Sequence, residues 1–246
     1  ESARGFELYY DNKNKNYSIR VFTPSSREDW LLALEYIKAL AKKFDSKIIS
    51  ETGEEYTVDN IDKFDYEGDI LYGIEGISSR VKGEDSTLYS IFGINRIVSF
   101  NQEMIDKIEN SDSPIDTFSN MVKEIQYLDA FSANQRFFRN KEDGKIIGTY
   151  TLTQNLRTIL PYKPSVEFEN SDMVKNEDIA FWNIGLVTID GDENDPNSYQ
   201  VVGQLDYNDF IKKLPKDKYH FIDASYILVE PLSKEEILGL LEISVN

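Results

Sequence analysis

Apolar residues recur along this chain at two spacings, and the changes between them mark out its elements. Phe6 to Tyr10 and Tyr17 to Phe22 are aromatic and β-branched runs around the polar segment Asp11 to Asn16. That pattern predicts an antiparallel hairpin, ended by Thr23-Pro24. Trp30, Leu34, Ile37, Ala41 and Phe44 then recur at helical spacing, with Glu35, Lys38 and Lys42 between them. Ser25 followed by Glu28 has the form of a capping box, so a long amphipathic helix is expected there, its stripe buried against the hairpin. Ile48-Ile49, Asp69 to Ile74, Thr87 to Phe92 and Asn95 to Phe100 read as short strands, with Gly73, Gly76 and Gly93 as breaks.

Two helices are expected mid-chain. Asn101 caps one running through Ile108, and Ser113-Pro114 places a cap and a first-turn proline before another that reaches Leu128. Phe131 to Arg139 and Lys145 to Leu152 flank a turn containing Asp143-Gly144, a strong hairpin signal. Ile179 to Ile189, Tyr199 to Leu205 and His220 to Val229 read as strands, with a short helix over Asp206 to Leu214. Ser233 to Glu236 forms a capping box that opens a closing helix. Hairpins outnumber regular strand–helix–strand units, which points to an α+β fold with mainly antiparallel sheet and several amphipathic helices. The polar connection Glu109 to Asp116 suggests two lobes, 1–112 and 113–246, with a single domain as the alternative.

Composition narrows the chemistry. The 246 residues carry 27 basic and 44 acidic side chains, a net charge of -17. Such a field repels phosphate backbones and disfavours duplex nucleic acid, while leaving a basic protein partner open. With no cysteine and a single histidine, His220, thiolate chemistry, cysteine-ligated metals and imidazole-rich sites drop out, and no cofactor is expected. No apolar stretch approaches the roughly 18 residues of a membrane helix. Lysine exceeds arginine, as in proteins of low-GC bacteria.

The opening Arg4-Gly5-Phe6-Glu7, the junction Val21-Phe22-Thr23-Pro24-Ser25-Ser26-Arg27-Glu28-Asp29-Trp30, and Tyr36 to Lys43 resemble an uncharacterised bacterial family. It is known only as a domain of unknown function, mainly from low-GC Gram-positive and related bacteria. The resemblance implies a bacterial cytoplasmic protein whose native chain extends further at the N-terminus. It carries over no catalytic residue, because the family has none established.

Several constellations invite a functional reading and each has a plainer one. Asp190, Asp192 and Asn194 space their oxygens like the start of a calcium loop, but Asp195 and Val201 stand where the sharp-turn glycine and the bidentate glutamate belong. His220 and Asp223 are three apart, which on a strand sends them to opposite faces. Asp143 and Lys145 resemble one end of a metal-dependent nuclease site without its second carboxylate. No phosphate-cradling glycine loop and no serine-nucleophile elbow is present. Glu51 to Asp69 carries eight carboxylates and Glu167 to Asp195 nine, readable as solvated loops or as a lure for a basic protein.

One region reverses the sign. Between Ala130 and Pro164 six basic residues meet only Glu142 and Asp143, interleaved with Phe131, Phe137, Phe138, Tyr150 and Tyr162. Phe137 and Phe138 are neighbours, so a strand cannot bury both on one face. Arg136, Phe138 and Arg139 are therefore the expected binding residues, with no catalytic and no metal-ligating residue assigned. The composition then favours a non-catalytic acidic protein that binds an unidentified, basic protein, as an immunity or inhibitor-like factor would, over a carboxylate-dependent hydrolase.

Overall fold

The computed structural model describes residues 1–83 and 88–242, and among them helices combine with small, mainly antiparallel sheets, an α+β fold. The chain forms two compact units, 1–128 and 129–246. The sequence suggests a boundary at 112/113. The division falls instead after Leu128, because the helix that follows Ser113 packs among the three helices before it.

The first unit contains β1 (Phe6–Asp11), β2 (Asn16–Val21), α1 (Arg27–Phe44), β3 (Ile48–Ile49), β4 (Glu55–Tyr56), α2 (Tyr66–Val81), β5 (Tyr89–Phe92), β6 (Ile97–Phe100), α3 (Gln102–Glu109) and α4 (Pro114–Gln126). The strands pair as three antiparallel hairpins, β1 with β2, β3 with β4 and β5 with β6. Helix α1 starts one residue later than its sequence suggests. Its capping box is Ser26 with Asp29, while Ser25 is buried and Glu28 pairs with Lys123 at 2.7 Å. The Asp29 carboxylate also gathers the start of the chain, accepting hydrogen bonds from Ser2 Oγ and from the backbone N–H groups of Ala3, Arg4 and Gly5. The stripe of α1 is divided between two neighbours. Trp30 stacks on Phe64 and Tyr66, whereas the first hairpin meets the helix through Phe6 on Tyr36 and Tyr17 on Phe44.

Asp69 to Ile74, expected as a strand, lies inside α2. Ile70, Ile74, Ile77 and Val81 are buried along one helical face, and Asp65 caps the helix by accepting the N–H of Gly68 at 3.0 Å. Gly73 is a packing glycine within it: a Cβ there would come within 2.6 Å of the Pro24 Cβ. Of the strand expected over Thr87 to Phe92, Tyr89–Phe92 forms β5, and Thr87 lies outside the described residues.

The second unit contains β7 (Phe131–Ser132), β8 (Arg136–Arg139), β9 (Ile146–Thr153), β10 (Thr158–Pro161), β11 (Ile179–Ile189), β12 (Tyr199–Asp206), α5 (Tyr207–Lys213), β13 (Tyr219–Phe221), β14 (Tyr226–Val229) and α6 (Lys234–Leu241). Two four-stranded sheets have the orders β12-β11-β9-β8 and β13-β14-β10-β7. The expected strand over 131–139 is thus two, each in a different sheet, and that over 220–229 is broken by a turn at Asp223. Two pairings are parallel, β9 with β11 and β7 with β10. Tyr150, Leu152, Ile184, Leu186, Tyr207, Phe210, Ile227 and Ile237 form the core, with α5 and α6 against the inner side of β11 and β12. No described helix is long and apolar enough to cross a membrane.

Candidate functional site

Strand alternation gives the sheet β12-β11-β9-β8 two unlike faces. On β9, Ile146, Gly148, Tyr150 and Leu152 turn toward the core, where Trp182 of β11 stacks on Tyr150 and lies so close to Gly148 that a Cβ there would meet the indole at 2.3 Å. The intervening Thr149, Thr151 and Thr153 turn the other way. Register places Gly185 beside Thr151 and Val187 beside Thr153, then Gln204 and Val201 on β12 opposite them. These residues floor a concavity of about 580 Å³, walled by Phe131, Phe138, Leu156 and Tyr199 and edged by Arg136, Asn134, Asn155 and Glu193. The floor is hydroxyl, amide and aliphatic groups; the charge is confined to the rim.

Of the three residues expected to bind, the structure brings two together. Arg136 pairs with Thr149 and Phe138 with Ile147 in register, and both line the concavity, with Phe138 55% exposed. Arg139 does not line it: its guanidinium donates to the Gly144 carbonyl at 3.0 Å and holds the hairpin turn. Phe137 takes the inner side, edge-on to Trp182. The adjacent phenylalanines are thus divided between the two faces. Elsewhere in the basic island Arg157 is engaged by Glu230 at 3.1 and 3.2 Å, and Lys145 by Asp143 at 3.4 Å. The threonine ladder of β9 and its Gln204 and Val201 neighbours were not singled out in the sequence. Their signal is the alternation of threonine with core residues from Ile146 to Thr153.

A half-buried acid of the unit lies away from this floor. Glu167 accepts a hydrogen bond from Tyr150 at 3.3 Å. Burial pushes its carboxyl above the usual range, Glu169 adds to the shift, and hydrogen bonds from Tyr150 and Tyr226 oppose it. Gln135 closes the cluster, donating to Tyr150 Oη at 2.6 Å and accepting from the Glu167 N–H at 3.0 Å. Burial also raises the phenols of Tyr150 and Tyr226, so both remain protonated donors at neutral pH.

The remaining candidates resolve into local structure. Asp192 and Asp195 each accept from the backbone and side chain of the asparagine two residues on, as turn residues do. His220 sits on β13 opposite Leu228, while Asp223 receives the N–H groups of Ser225 and Tyr226. Among the described residues no group of three or more acidic or histidine side chains is placed to hold a metal. The acidic run 51–69 is largely engaged within its own unit, Glu55 with Lys47, Asp62 with Lys38, Glu67 with Arg27 and Asp69 with Thr23.

Comparison with curated proteins and with solved structures gave no match. One family profile matches residues 1–240, across both units, and the chain therefore belongs to the family described as a domain of unknown function (DUF4299).

Proposed function

We propose that this chain is a non-catalytic protein-binding factor of the bacterial cytoplasm, and that it binds through the outer face of the sheet β12-β11-β9-β8. The observation that carries the reading is the pairing of Arg136 and Phe138 on one rim of a concave, uncharged floor in a chain with 29% charged residues. Arginine and exposed aromatics are enriched in protein interfaces, and charge is depleted from their centres. A hydrolase built on two carboxylates would set both across a cleft; Glu193 is the one carboxylate among the described lining residues. The net charge of -17 adds long-range attraction for a basic partner, of the kind an immunity or inhibitor-like factor meets.

Site-specific photocrosslinking tests the surface. A photoreactive phenylalanine analogue at position 138 is expected to form protein adducts in host cells, and the same group at Tyr72, 73% exposed on α2, is not. Adduct formation is expected to weaken as salt rises, because exposed charges are screened over roughly 8 Å at physiological ionic strength. Equal labelling at both positions, or none at 138, would overturn the reading.

A further inference from the structure

If the outer sheet face is a protein-binding surface, its charge pattern specifies the occupant, and we propose that this occupant is a second copy of the same chain, bound face to face about a twofold axis. The inference rests on the reading above.

Arg136 and Glu193 are the two charged residues among the described lining. Register sets them at opposite corners. Arg136 is on the edge strand β8, in the row that runs through Thr149, Asn183 and Asp206. Glu193 lies in the connection beyond the Ile189–Tyr199 pair, next to the other edge strand, β12. Neither side chain forms an ion pair among the described residues. One positive and one negative corner on a neutral floor make a self-complementary pattern. A twofold axis lying in the plane of the face, and crossing the Arg136-to-Glu193 line at right angles at its midpoint, brings each Arg136 over Glu193 of the second copy. The contact is then isologous and closed, the form that soluble homo-oligomers favour.

The apolar groups obey the same operation. Phe138 stands on the β8 side, and Val201, 69% exposed, with Tyr199 on the β12 side. Reversal about that axis sets the phenylalanine side of one copy against the valine and tyrosine side of the other. The net charge sets a condition: two chains at -17 repel, so self-association requires that the one carboxylate lining the concavity be matched, while Asp206, at the far end of the Arg136 row, accepts the N–H groups of Asn208 and Asp209 as the cap of α5.

Sedimentation velocity on the full chain over a wide concentration range tests this, with melting curves run alongside to show that each variant folds. The wild type is expected to pass from monomer to dimer. Arg136→Glu and Glu193→Arg are each expected to raise the dissociation constant about tenfold, and the double reversal to restore it. The second variant is decisive against a general charge effect, since it makes the chain less negative and would tighten any association governed by net charge alone. Val201→Arg is expected to leave a folded monomer.

A wild type that stays monomeric at every concentration overturns the dimer, as does a dimer that survives Val201→Arg or a charge reversal with no rescue. Those results separate from the parent reading. If crosslinking at 138 still captures a different protein and Val201→Arg abolishes the capture, the face binds protein and only the second copy is excluded. If the adduct is absent as well, both fall.

Discussion

Asp29 in the first unit and Glu167 in the second are both carboxylates drawn in from solvent, and their environments push them in opposite directions. Burial acts to raise Asp29, but Ser2, Ser26 and the N–H groups of Gly5 and Arg4 outweigh it and hold the carboxyl below its ordinary range. Glu167 has the hydroxyls of Tyr150 and Tyr226 as its side-chain donors, and burial, reinforced by Glu169, prevails. The difference teaches that donor supply decides the sign. Backbone N–H groups brought together by a helix cap and by the folded-back segment 2–5 can stabilise a buried anion, whereas two phenols leave it short.

Removing bulk beside Asp29 gives the largest expected effect and a yardstick for the rest. Trp30→Ala, which deletes a ring stacked on Phe64 and Tyr66, should cost about 3–5 kcal/mol in denaturant unfolding. Asp29→Ala removes far less volume, yet should cost about 3 kcal/mol, because it strands several donors at once. If it cost no more than an exposed surface change, the carboxylate would not be what holds residues 2–5, and the contrast with Glu167 would collapse.

Acid titration separates the pair. For Asp29 the folded value is depressed, so its contribution is present above the unfolded value of about 3.9 and is lost as pH falls through the folded value. For Glu167 the folded value is raised, so its contribution is complete below the unfolded value of about 4.3 and is lost as pH rises through the folded one. Asp29→Ala should therefore flatten the acid limb of the stability profile, while loss of Glu167 should flatten the opposite slope. The smallest effect is Glu167→Gln, which keeps the shape of a protonated carboxyl. A gain of about 1 kcal/mol at neutral pH is expected, the scale of one hydrogen bond, disappearing under acid conditions. A loss at neutral pH would show that the charged form is the one the tyrosines support.

The caps at Asn101 and Ser233 were legible because a cap is a local arrangement of neighbouring residues; Ser113-Pro114 marked the start of α4, but there the Ser113 hydroxyl donates to Asp116 and caps no backbone N–H. Helix α2 was not, since Gly73 and Gly76 look like strand breaks until Pro24, nearly fifty positions away in the chain, explains why Gly73 has no side chain. β10 escaped for a related reason: Thr158 to Pro161 is short, wholly buried and ends in proline, so it shows no alternation. At the candidate site, alternation alone assigned Phe137 and Phe138 to different faces. It could not say that Arg139 would be spent on its own turn, which depends on the Gly144 carbonyl. Nor could spacing reveal that β9 and β11 lie parallel, the pairing that sets Gly185 and Val187 beside the threonines.

The first few residues also set a schedule. Ser2 is held by Asp29 and offers its carbonyl to the hydroxyl of Tyr127 at 2.7 Å, and Arg4 reaches the carbonyl of Phe92 at 2.8 Å. During vectorial synthesis these partners emerge in turn, and the last arrives only when nearly the whole first unit has been made. The segment is therefore fully fastened only once Tyr127 has been made, and a stall upstream of it would leave a nascent chain without the Ser2–Tyr127 bond.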